Sequence, residues 1–282
     1  MGGFGISSSG KPTYTQLNSV ISEDADSIIT RPSNYESEVA MGLWDGKTTV
    51  NKWGRNLAVG ATSVLVSSFS TTAFNPLTDI ITTAQTITIT YDNTTDGAGT
   101  TGAVTLIFTY IGEDYLSYTA YHTLGNTGTD ITEFTTLGIN RVVALCNGTV
   151  SNVNAITCTA TVDTTVQAQI PAGTGVTQQA IFHTQIGHNF LVDWIFLNSL
   201  RDAGGGSDPK VTFKIYSWSR VVNSRFDVLE YRIDTSRSEE KEFNLTQKFP
   251  FGGREVVWIE AVSTRTGTFT SARFSGVEER VP

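Results

Sequence analysis

The residues most able to do chemistry are gathered in one short box, Val50-Asn51-Lys52-Trp53-Gly54-Arg55-Asn56. Beyond it the chain is nearly free of cations: between Asn56 and Leu200 the only Lys or Arg is Arg141. An isolated cationic cluster of this kind invites reading as an active site. No acid pair, histidine or phosphate loop supports that use. The box reads instead as a joint where an N-terminal arm enters a folded body. Trp53 would seal the edge of the core, and Gly54 would permit a sharp bend. Lys52 and Arg55 would bond the arm or a neighbouring subunit, and Trp44 would be buried with the arm. Trp44, Lys52, Trp53 and Arg55 are therefore the candidate assembly residues.

Other constellations are weaker. The histidines are His122, His183 and His188, and "HTQIGH" puts the last two around a glycine turn. A metal would need a third ligand from elsewhere, so ordinary polar roles are favoured. No G-x-S-x-G elbow is present. "TTDGAGTTG" lacks the Gly-Lys-Ser/Thr of a phosphate loop. Its acids, like those of "GGGSDP", are explained by turn formation more cheaply than by calcium. Trp194, Trp218 and Trp258 could make a sugar platform, yet each lies in a strongly apolar run that favours core packing. Asn-x-Ser/Thr patterns at Asn93, Asn147 and Asn244 read as chance matches. Cys146 and Cys158 flank a hairpin-like "NGTVSNVN", and two buried free thiols are favoured over a cross-strand disulfide. No catalytic residue, cofactor or metal is expected.

The elements that must position these residues are β throughout. Of 282 residues only 16% are charged, and Thr, Ser, Gly and Asn fill the gap. Such composition suits pleated surfaces and tight turns better than helices. Residues 1–200 hold 6 basic and 15 acidic residues, a balance of −9, while 201–282 hold 13 and 12, a balance of +1. A body so poor in cations repels phosphate backbones and anionic membranes, so neither nucleic acid nor membrane is an expected partner. The opening "MGGFGISSSGKPTY" shows no apolar run of a secretory signal, and Ile6 breaks the myristoylation pattern.

Residues 1–56 are expected to be an extended arm and its joint, with a short helical turn over Tyr35–Met41. Leu17, Val20 and Ile28 are its scattered apolar contacts. In "TITITYD", Ile87, Ile89 and Tyr91 share one face. In "KVTFKIY", Val211, Phe213 and Ile215 point inward. Many short strands with turn signals between them predict an antiparallel β-sandwich or jelly roll. The expected division is a first β subdomain over 57–165 and a second, jelly-roll-like one over 166–282.

Several pieces, taken in order, resemble a family of virion structural proteins of tailed bacteriophages of the marine and cyanobacterial type. They are "LWDG" (43–46), "VNKWGRN" (50–56), "AVTLIFTYIGEDYL" (103–116), "YHTLGNTGTDITEFTTLGINRVV" (121–143), "TVQAQIPAGTGVTQQAIFHTQIGHNFLV" (165–192) and "FTSARFSGVEER" (269–280). The resemblance spans roughly residues 43–282. It implies a non-enzymatic particle component made in the host cytoplasm: a head-surface decoration or cement protein, or a fibre or anchor subunit. Its expected partners are copies of itself, as a trimer, and other virion proteins such as the major capsid protein or tail and neck components. The alternative is a carbohydrate-binding module at a fibre tip.

Overall fold

The structure is a computed structural model and describes Val39 and residues 46–200, 210–234 and 239–281. Among these residues the chain is all β, built from antiparallel pairs, apart from the helical Val39 and one four-residue helical turn, α1 (Pro76–Asp79). Asn75 caps that turn by accepting from the Leu77 amide.

The larger unit is a sandwich of two sheets. One has the order β1-β16-β11-β14, from β1 (Lys47–Val59), β16 (Thr268–Arg280), β11 (His188–Leu200) and β14 (Glu239–Phe251). The other runs β10-β15-β12-β13, from β10 (Ile181–His183), β15 (Glu255–Ser263), β12 (Lys210–Ser219) and β13 (Ser224–Asp234). The short β2 (Val64–Leu65) also pairs with β15. The alternation on β12 buries Val211, Phe213 and Ile215 as expected. They meet Val50, Phe190, Ile195, Leu197, Ile259 and Phe274 in one core. Two four-strand sheets with these long crossings make a jelly roll.

One strand position of the jelly roll is made of two pieces. β2 lies opposite Glu260 and Ala261, and β10 continues opposite Val256–Trp258. The pieces are tied side by side, with the Ala180 amide donating to the Val66 carbonyl at 2.9 Å and the Ser68 amide to the Gln178 carbonyl at 3.0 Å. The chain therefore leaves and re-enters the jelly roll at neighbouring points. The segment that leaves first covers Trp258 with Phe69, Phe74 and Ile80. It then forms a second sandwich.

That inserted sandwich has sheets β6-β3-β8-β9 and β5-β4-β7. The strands are β3 (Ile87–Thr90), β4 (Ala103–Ile111), β5 (Ser117–Thr123), β6 (Thr129–Ile131), β7 (Gly138–Cys146), β8 (Ile156–Ala160) and β9 (Val166–Ile170). Ile87, Ile89 and Tyr91 are buried together, with Leu106, Phe108, Ile139, Val142 and Ile156, in its core.

Three expectations change here. Residues 47–56 are not a joint: they pair along β16 from Lys47↔Glu279 to Asn56↔Thr270. The jelly roll draws on residues before the insertion as well as after it, so cuts at 57 and 166 cross its sheets. Strand periodicity reveals the buried face but not a partner some 220 residues away, which is why both points escape a linear reading. Cys146 and Cys158 do not share a hairpin, because β7 and β8 lie in different sheets; both are free thiols. Trp44, Leu17, Val20, Ile28 and the turn at Tyr35–Met41, apart from Val39, lie outside the described residues.

Candidate functional site

Strand alternation splits the cationic box between two environments. Val50, Lys52, Gly54 and Asn56 point inward, and Asn51, Trp53 and Arg55 point outward.

The inward side meets the root of the insertion. Gly54 lies against strand position β2/β10: a Cβ there would sit 1.8 Å from the Val66 carbonyl oxygen and 2.5 Å from the Ala180 nitrogen. Its role is close approach of two sheets rather than the expected bend. Lys52 is buried, and its Nζ donates to the Asn140 carbonyl oxygen on β7 of the inserted sandwich. Burial, with Arg141 nearby, pulls the ammonium down to about 7. The Asn140 amide then clasps β10: its Nδ2 donates to the His183 carbonyl at 3.0 Å, and its Oδ1 accepts the His183 amide at 2.8 Å. The His183 ring lies on Gly138, where a Cβ would be 2.4 Å away. Arg220 donates to the Ile81 and Leu137 carbonyls and approaches His183 Nδ1 at 3.3 Å. Burial first, then the charges of Arg220 and Lys52, holds the His183 imidazole well below its ordinary value, so it is neutral at pH 7. These groups satisfy carbonyls that would otherwise be stranded where the two sandwiches meet. They join the two sandwiches.

The outward side is a surface. Across the sheet, Trp53 lies opposite Arg273, which lies opposite Phe196, which lies opposite Glu242. In the next outward-facing row Arg55, Ser271, Asn198 and Glu240 stand in line. Trp194 stacks beside Phe196 with ring centres 5.9 Å apart, and its Nε1 donates to Glu242 at 2.5 Å. Arg273 lies over the Trp194 ring at 5.2 Å while its Nε donates to Asn51 Oδ1 at 2.8 Å. These side chains line an open trough of about 550 Å³. Trp53 is 38% exposed on its wall, so it does not seal the core edge as expected. The Arg273 guanidinium is thus held between an amide and an indole, beside aromatic faces.

Phe269, Ser271, Arg273, Ser275 and Val277 alternate on the outward side of β16. Val277 is nevertheless fully buried, packed against Val39.

The remaining candidates disperse. Trp218 and Trp258 are packed in the core as expected, whereas Trp194 faces outward, joined by Trp53. His122 stands 3.7 Å from Asp130, and His188 Nδ1 lies 3.1 Å from the Ile186 carbonyl. Among the described residues no group of three or more His, Cys, Asp or Glu could hold a metal. In "TTDGAGTTG" the buried Asp96 accepts the amides of Ala103, Val153 and Asn154 at 2.7–3.0 Å, which closes the loop. Sequence reasoning missed Phe196 and Arg273. Phe196 had a signal in "FLVDWIFLNSL", a strand apolar on both faces, whereas Arg273 had none.

No protein-family model matches the chain, and no curated protein matches it. Solved structures of infectious bursal disease virus are weakly similar. The Gx strain structure is 11% identical over 83% of this chain and 70% of that chain, at a TM-score of 0.21. The VP2 subviral particle is 12% identical over 83% and 76%, at a TM-score of 0.19. Likeness at this level transfers no residue role and no activity.

Proposed function

We propose that this chain is a non-enzymatic virion structural protein that assembles through its N-terminal segment and its β body with copies of itself. The carrying observation is the outer face of the β1-β16-β11-β14 sheet, where a jelly-roll strand is apolar on the side that should meet water. The resemblance to tailed-phage virion proteins supports a head-surface decoration or cement protein, or a fibre or anchor subunit. A trimer is the expected assembly, with the major capsid protein or tail and neck proteins as further neighbours. The inward site fits this reading, since Lys52 and Arg220 donate to carbonyls of Asn140, Ile81 and Leu137 where the two sandwiches meet. A cryo-electron microscopy map of the particle tests it. Density for this chain in symmetric copies is the expected result, and a purified particle lacking the chain would refute it.

A second reading, a carbohydrate-binding module, draws on Trp53 and Trp194 beside Arg273, Asn51 and Glu242. Aromatic faces with planar polar neighbours suit sugar rings. It predicts glycan-dependent retention on an array that Trp194→Ala removes; retention of no host polysaccharide would end it.

A further inference from the structure

We infer that the cavity beside β10, where the two sandwiches meet, is a binding site for a small molecule made of one ring and a carboxamide-like group. The site is apart from the trough, and its filling does not depend on assembly.

The chain builds this cavity where it leaves the jelly roll and returns to it. Phe69, Phe74 and Ile80 lie on the way out, over Trp258, and Gln167 of β9 lies on the way back. Between them is a space of about 220 Å³ that His183 also lines. A cavity of about 150 Å³ admits benzene, so this one has room for a single ring with a small substituent. Phe69, Phe74 and Ile80 supply the apolar wall for the ring.

Two buried polar side chains of the lining each keep one hydrogen-bonding atom unspent. His183 is only 4% exposed. Arg220 donates to its Nδ1 at 3.3 Å, so the proton of the neutral ring sits on Nε2. That N–H has no acceptor among the described residues. Gln167 is 8% exposed. Its Nε2 donates to the Asp79 carbonyl at 3.0 Å and to Thr165 Oγ1 at 2.8 Å, which makes Oε1 an acceptor with no donor among the described residues. Buried groups left unpaired are costly. Water could serve both groups but would leave the phenyl faces wet. A ring with a carboxamide answers all three: its carbonyl accepts from His183, its N–H donates to Gln167, and its ring covers the aromatic wall. A carboxylate would answer His183 alone and would bring lone pairs against Gln167 Oε1.

Benzamide, toluene and benzoate, each titrated into the full-length chain, test the site. Benzamide should bind saturably and raise Tm. Toluene lacks the polar group and benzoate lacks the donor, so each should bind about ten-fold more weakly or worse. Imidazole nitrogen NMR locates the event. Of the histidines His122, His183 and His188, only His183 should show a shifted Nε2 signal on adding benzamide. Thr72 is exposed and lines the cavity, so it stands at the mouth. Thr72→Trp should abolish binding and leave the Tm of the free chain unchanged. Absence of saturable benzamide binding overturns the site. So does binding that leaves the His183 signal in place, that toluene matches in affinity, or that survives Thr72→Trp.

Discussion

Lys52, Trp53 and Arg55 are neighbours in sequence and strangers in space. The pleat turns Lys52 to the domain junction and sends Trp53 and Arg55 to the outer trough. The consequences of substitution differ accordingly. Gly54→Ala forces a methyl into the space of the Val66 carbonyl, so it should cost about 1–3 kcal/mol or more by denaturant unfolding. Trp53→Ala, on the exposed face, should cost under about 1 kcal/mol in the same measurement. Equal losses would show that the alternation is misassigned. The junction also carries a pH signature. His183 is held neutral by burial and by Arg220 and Lys52, so the unfolded chain binds its proton more readily. Its share of stability is complete above the ordinary histidine value near pH ~6.5 and is lost as pH falls below it. Glu278, whose carboxyl burial raises, acts in the opposite sense. The informative quantity is therefore a difference: His183→Gln should flatten the fall in Tm between pH 7 and about 5 relative to wild type. A variant with the wild-type slope would exclude His183 as its source.

At the scale of elements, some features were legible and others were not. The β class, the inward row Val211-Phe213-Ile215 and the face Ile87-Ile89-Tyr91 follow from period-two patterning, and the structure has them. The pairing of β1 with β16 and the splitting of one strand into β2 and β10 do not follow, because pairing is decided by tertiary context. Trp53 was legible as important and misjudged in direction. Arg273 was invisible, since a single cation in a late strand carries no pattern of its own. The separation of Cys146 from Cys158 is a similar case, set by the crossing between β7 and β8. It yields a prediction: burial pushes the Cys158 thiol up to about 12. A maleimide should label Cys158 only at the rate at which the inserted sandwich opens, and denaturant should raise labelling in step with loss of β structure. Rapid labelling in buffer would show that the core around Ile89 and Ala168 is not closed.

At the scale of the whole molecule, a jelly roll carries a second sandwich on one strand position, and polar groups lock the two together. The outer face of the β1-β16-β11-β14 sheet holds the trough of Trp53, Trp194, Phe196 and Arg273. The most direct measurement is the occupancy, in purified particles, of a chain that starts at Gly46 beside the full-length chain. The shortened chain should fold, with the β circular dichroism of the parent, and should be missing from particles. A folded chain from Gly46 that fills particles to the full-length level would contradict assembly through the N-terminal segment.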